Sequence, residues 1–219
     1  MILTRRQMIE AGAAAGALAT MSSPLVAAVT DLERARPDRV PARPRVAVDP
    51  VIDPLIIARA RASFDRHRNS IDRIETVGIV DFAKASSEPR FFMLDTNSGR
   101  VSRHLVAHGR GSDPAHTGFL QSFSNRPGSE ASSNGGYVTG QYYPGQYGRA
   151  MRVRGLDYSN SNAEARAIVV HAARYAEADM VAQYGKLGRS EGCFALSQLS
   201  LQYVLQRLGP GRMIYADKV

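Results

Sequence analysis

The chain has 219 residues, 28 Lys or Arg against 20 Asp or Glu, a formal net charge of +8 and a single cysteine. One cysteine excludes an internal disulfide, and the length suits one domain with a real core of its own. The positive charge suits an anionic envelope surface or nucleic acid, but only Lys84, Lys186 and Lys218 are lysines and no dense basic run with interleaved aromatics exists, so no nucleic-acid partner is expected.

Taken in chain order, the first feature is Arg5-Arg6 behind Thr4, followed by a weakly apolar Ala/Gly run from Ala11 to Met21. That run is shorter than the ~20 residues a bilayer span needs. It fits the apolar centre of a signal peptide, with small residues ending at Ala28 as the cleavage site. Paired arginines point to the Tat translocase, which carries folded proteins, although Glu10 departs from the usual basic residue. Residues 1–28 are therefore expected to be a Tat-type signal, and the product to reside in the periplasm or cell envelope. Its removal leaves 26 basic and 19 acidic residues. Residues 29–50 are rich in Pro and Arg and read as a linker; residues 51–219 read as a single domain.

That domain opens on Asp53, an N-cap residue, with Pro54 at the first helical position and helical spacing through "LIIARARASFDRHR". Short β-type runs follow: "TVGIVDF", "RFFMLD" and "RVSRHLVAHG", the last two joined by "TNSG". "GYVTGQYY" and "AMRVRGL" pair across "PGQYG", and "ARAIVVH" is an apolar strand ending at His171. "SQLSLQYVLQRLG" has helical spacing and stops at Gly209 before Pro210, and "RMIYAD" closes as a strand. Between Gly109 and Gly136 the chain is mostly Gly, Ser, Asn and Pro, which predicts a working loop such as a lid or substrate wall. The sum is an α+β, mostly β domain with a few helices.

The lone thiol sits in "GRSEGCFALS". A cysteine nucleophile needs a base, because a free thiol is only a few per cent thiolate at neutral pH. It also needs N–H donors for the oxyanion of its acyl intermediate. Gly192 permits a backbone geometry that turns nearby N–H groups into a pocket, the helix starting near Ser197 could lend its positive end to a thiolate, and His171 at a strand end suits the base. These residues alone leave a small buried cysteine equally open.

Beyond this, "VAHGRGS", "FSNRPGSEASSNGGYVTG", "YPGQYGRAMRVRGLD", "NAEARAIVVHAARY" and "LGRSEGC" occur in one order, with 22 positions from His171 to Cys193. Together they resemble the L,D-transpeptidases of bacterial cell walls, in particular the murein L,D-transpeptidase catalytic-domain (YkuD-like) branch, from about Thr76 to Val219. The resemblance implies a catalytic β-sandwich or barrel with flanking helices and no metal or organic cofactor. It implies that Cys193 attacks the diaminopimelate carbonyl of a peptidoglycan stem tetrapeptide, releases D-Ala and passes the acyl group to an amine. His171 would be base and then acid, oriented by a main-chain carbonyl. Gly192 and Cys193 would supply oxyanion donors, while Ser190 and Arg189 shape the pocket and Arg189 meets a substrate carboxylate. His108, Gly109, Ser112, Asn125 and Tyr137 are expected at the substrate's edge. Ala195 stands where many members carry arginine, and Phe194 where the closer branch has proline.

Transfer to water would make the chain an L,D-carboxypeptidase or endopeptidase, and a non-catalytic wall-binding module is the reading from another class. A zinc peptidase using His104, His108 and His116 would need the first two within one coordination sphere, yet four strand steps hold them roughly 13 Å apart. In papain-like and NlpC-type peptidases the cysteine precedes the histidine, the reverse of the order here.

Overall fold

The computed structural model describes residues 52–219; the expected signal peptide and linker lie outside them. Asp53 caps helix α1 (Pro54–Arg66) by accepting the Leu55 N–H at 2.7 Å, with Pro54 opening the first turn. Strands β1 (Thr76–Asp81), β2 (Phe91–Asp95) and β3 (Val101–His104) form an antiparallel meander. A long hairpin follows, β4 (Gly135–Gly145) and β5 (Gly148–Gly155), and then β6 (Val169–Ala172), α2 (Ala178–Tyr184), β7 (Phe194–Leu196), α3 (Gln198–Leu208) and β8 (Met213–Asp217).

All eight strands belong to one sheet in the order β3-β2-β1-β8-β4-β5-β6-β7. Ala107, three residues beyond β3, makes an antiparallel bridge to Ala195 in β7, so the two ends of the sheet meet. The result is a nearly closed, barrel-like α+β fold dominated by strands. The last strand, β8, runs up the middle, parallel to β1 and antiparallel to β4.

Alternation within the strands sorts residues between two cores. Ile214 and Ala216 of β8, Phe91 and Met93 of β2, Met151 and Val153 of β5 and Val170 of β6 point inward, where Leu201, Val204, Leu205 and Leu208 of α3 fill the space. Met213, Tyr215, Ile79 and Phe92 face the other way and are covered by Ile56 and Ala60 of α1. Each such aliphatic or aromatic side chain contributes about 1.5–3 kcal/mol when taken out of water, which is why these short strands hold without long ladders. Asp157 adds a polar tie: its carboxylate receives the Gly136 N–H at 2.7 Å and contacts Ser63, Arg66 and His67 of the α1 end.

Two sequence expectations change. The "ARAIVVH" segment is extended only from Val169, because Ala163 to Ala167 form hydrogen-bonded turns with Ala167 at φ +54°. The β3 strand stops at His104 rather than reaching Gly109.

Candidate active site

β6 and β7 are parallel, with Val170 opposite Phe194 and His171 opposite Ala195. Cys193 immediately precedes β7, and so it falls level with Val169, on the sheet face that carries His171. Its thiol donates to the Ala167 carbonyl at 3.6 Å, and the neighbouring Val169 N–H lowers its pKa. Thiol and imidazole therefore come from neighbouring strand ends two residues apart in register, though no direct hydrogen bond joins them among the described residues.

His171 Nδ1 is 2.8 Å from the Ala172 carbonyl. A carbonyl only accepts, so Nδ1 carries the proton and Nε2 is left with its lone pair. Burial holds His171 below the ordinary imidazole range, partly offset by that carbonyl. Burial likewise pushes the Cys193 thiol up; the Val169 N–H and Arg166 pull down and Glu191 adds to the rise. Both directions favour a neutral thiol beside a neutral imidazole rather than an ion pair.

The turn before the cysteine is closed by its own residues. Ser190 is buried; its Oγ donates to the Cys193 carbonyl at 2.8 Å and accepts the Gly192 N–H at 3.1 Å. The Gly192 amide is thus already engaged, against the expectation that it donates to an oxyanion. Gly192 itself sits at φ +108°, and a Cβ there would stand 2.6 Å from the Ala131 carbonyl oxygen, so no other residue fits. The helix-dipole expectation also changes. The three residues of β7 and Ser197 separate Cys193 from α3, and the helix's first N–H groups are taken, Gln198 by Glu177 and Ser200 by Ser197.

Gly109 to Gly136 is a folded wall rather than a loose lid. Gly111 N–H meets the Glu130 carbonyl at 3.0 Å, Gln121 N–H the Ser112 carbonyl at 2.7 Å and Ser124 N–H the Ser132 carbonyl at 3.0 Å. Its base is a buried polar row. His108, 1% exposed, sits between the Arg90 guanidinium at 2.7 Å and Asp113 at 3.3 Å. Burial and the Arg90 charge depress its pKa to about 4, while burial lowers Arg90 to about 9. The His108 carbonyl receives the Ser190 N–H at 2.8 Å, so this row fixes the turn that carries Cys193.

Of the remaining expected substrate contacts, Gly109, Ser112 and Tyr137 are buried in the framework, while Asn125 and Arg189 are half-buried. Gly109 donates to Ser132 Oγ, and a side chain there would strike the Glu130 carbonyl. Ser112 is fully buried and accepts the Ser132 N–H. Tyr137 is 1% exposed, its hydroxyl on the Ser133 carbonyl and its ring edge-on to Phe194. Asn125 bonds Tyr158, Ser161 and Asn162. Arg189 Nη1 donates to the Asp113 and Pro114 carbonyls. His108, Ser112 and Tyr137 have no surface to offer a substrate; they hold the wall and the core. The three histidines weighed for zinc go separate ways, His104 to Ser102 and Tyr203, His108 to Arg90 and Asp113, and His116 to the Leu187 carbonyl.

Several residues near the thiol receive no role from the sequence, although they lie within the motif stretches. Arg166 clamps the wall through the Ser124 carbonyl and Ser133 Oγ, and its charge reaches Cys193. The tip of the β4–β5 hairpin, with Tyr143 and Tyr147, borders a cavity of about 190 Å³ whose other side is Val169, His171 and Ala172. A register shift between Thr139 and Tyr142 redirects that part of β4. Another depression, about 270 Å³ and lined by Asp95, Arg100, Tyr203 and Arg207 among others, includes neither His171 nor Cys193.

The fold and site thus define a mostly β domain that brings a thiol and an oriented imidazole to one sheet face, the imidazole lining a cavity. The sequence model of the family described as "L,D-transpeptidase catalytic domain" matches residues 49–216, and the chain belongs to that family. A search of curated proteins gave no match. Similar solved structures include an L,D-transpeptidase from Mycobacterium smegmatis (15% identity, TM-score 0.40, 65% of this chain and 58% of that one). Another is an L,D-transpeptidase from Mycobacterium tuberculosis H37Rv (15%, 0.39, 66% and 58%). A third is from Xylanimonas cellulosilytica DSM 15894 (14%, 0.36, 72% and 68%). The chain spans less than two thirds of the two mycobacterial proteins' length.

Proposed function

We propose that this chain is a peptidoglycan L,D-transpeptidase in which Cys193 is the nucleophile and His171 the proton carrier. The observation that carries the reading is the β6–β7 register, which sets Cys193 on the sheet face of His171, whose Nδ1 is held by the Ala172 carbonyl and which lines a cavity. Nε2 takes the thiol proton as sulfur attacks the diaminopimelate carbonyl of a stem tetrapeptide. Collapse of the tetrahedral intermediate breaks the bond to D-Ala, whose amine leaves with the proton from His171. An acceptor amine then attacks the thioester, gives a proton to His171 and restores the thiol. The developing oxyanion falls to the Cys193 amide, since the Gly192 amide is held by Ser190.

Because both groups rest neutral, proton transfer accompanies attack rather than preceding it. This suits an enzyme whose thiol must survive in an oxidising compartment, where a standing thiolate would climb the oxidation ladder. The same reading has residues 1–28 direct export by the Tat translocase to the cell envelope. Replacing Arg5 and Arg6 with Lys is then expected to leave the protein in the cytoplasm, and unaffected export would remove this part.

Product analysis tests the function. Purified protein with disaccharide-tetrapeptide should yield cross-linked dimers and free D-Ala, and the linkage of the dimer identifies the acceptor. Tripeptide alone would mean transfer to water, making the chain a carboxypeptidase, and unchanged muropeptides from folded protein would favour a wall-binding module.

A further inference from the structure

The face that carries His171 continues sideways onto β5. Arg152 is paired directly opposite Val169 in the antiparallel β5–β6 ladder, so the two side chains share a face. The β6–β7 register sets Val169 level with Cys193, and His171 is two residues along the same strand. Arg154, two positions from Arg152, joins that face, while Met151 and Val153 between and beside them are buried on the other. Arg152 and Arg154 are both exposed.

These cations are prepared for a ligand rather than consumed by the protein. Among the described residues, neither has an acidic partner. The Arg152 guanidinium lies over the Tyr143 ring, 4.7 Å from its centroid, and Arg149 over Tyr142 at 3.9 Å. Such contacts orient a guanidinium without neutralising it. Tyr143 in turn borders the cavity that His171 lines. A planar fork held in that way pairs bidentately with a carboxylate. From β5 to the β7 side is two strand spacings, roughly 10 Å, a span that a carboxylate one or two residues from the scissile carbonyl can cover.

Building on the transpeptidase reading, we propose that Arg152 and Arg154 form a carboxylate subsite that recognises the acidic stem peptide beside its scissile bond. They are specificity residues: they bind the donor's anionic flank and take no part in the proton transfers.

The experiment compares wild type, R152Q/R154Q and R152K/R154K on three disaccharide-tetrapeptide donors. One donor has free carboxylates, one is amidated at the glutamate α-carboxylate and one at the diaminopimelate carboxylate. Acylation is followed by intact mass, and iodoacetamide alkylation of Cys193 reports an undisturbed site. The glutamine variant should lose about five- to tenfold in kcat/KM on the free-acid donor, with the alkylation rate unchanged and partial recovery in the lysine variant. One amidated donor should lose this sensitivity, and which one names the carboxylate. Equal losses on all three donors, or no loss on any, would overturn the subsite alone. Absence of an acyl-enzyme on wild type with every donor would overturn the transpeptidase reading and the subsite with it.

Discussion

Ser190 and Cys193 are locked together: the serine hydroxyl donates to the cysteine carbonyl at 2.8 Å while receiving the intervening Gly192 amide at 3.1 Å. The nucleophile is therefore presented by a turn with one conformation, braced from below by the His108 carbonyl on the Ser190 amide. Gly192→Ala should break it. At φ +108° an alanine is strained by about 1–3 kcal/mol, and its Cβ meets the Ala131 carbonyl. Acylation is expected to fall at least a hundredfold while circular dichroism still reports a folded sheet. An active Gly192→Ala protein would show that the turn is not needed.

The pH profile should bear the mark of burial. His171 is held below the ordinary imidazole range and Cys193 above the ordinary thiol range. The base form of His171 consequently persists to lower pH, so the acid limb of kcat/KM is expected below the usual histidine value of about 6.5. Alkylation of the free enzyme by iodoacetamide should rise only above the usual thiol range. Glu191→Gln should shift that rise to lower pH, because the Glu191 charge opposes the thiolate. Rapid alkylation at pH 6 would instead indicate a preformed ion pair.

Stability should fall as the solution is acidified through the His108 window. Its folded pKa, about 4, lies below the unfolded value of about 6.5. Between these the unfolded chain binds a proton that the native chain refuses, so stability is complete above 6.5 and is lost toward 4. The depressed Asp113 carboxylate acts in the same direction at lower pH. Thermal melts across this range should show a slope that flattens in His108→Gln, and an identical slope would remove His108 as its source.

Asp157 should matter to the α1 end more than to the thiol. It accepts the Gly136 amide and holds Ser63, Arg66 and His67, so Asp157→Ala leaves a buried N–H without its acceptor, at a cost of about 1–3 kcal/mol. Hydrogen exchange should quicken across α1 while Cys193 alkylation remains near wild type. Exchange unchanged in α1 would contradict the tie.

What the sequence made legible follows from how local each cause was. Asp53-Pro54, the Asn97-Gly99 turn and the Gly209-Pro210 stop act on their own neighbourhood, and α1, the β2–β3 hairpin and α3 appear where those signals placed them. His171 and Cys193 were marked by motif context, and the main-chain carbonyl expected to orient the imidazole is found at Ala172. The roles of His108, Ser112 and Tyr137 were not legible, because a polar residue beside a motif looks the same whether it faces a substrate or a buried partner. Arg90 reaches the site only through His108, whose carbonyl holds the distant Ser190 amide. Arg166 and Tyr143 lie in the motif stretches, but their meeting with the thiol comes from the turns before β6 and from the hairpin, which the motifs do not describe.

The most direct test of the central claim is intact-mass spectrometry of the protein with purified disaccharide-tetrapeptide, beside Cys193→Ala and His171→Ala. Wild type should form a thioester adduct, the donor less D-Ala, with none on Cys193→Ala and formation slowed by at least a hundredfold on His171→Ala. An adduct that persists in folded Cys193→Ala protein, or none on wild type, would contradict it.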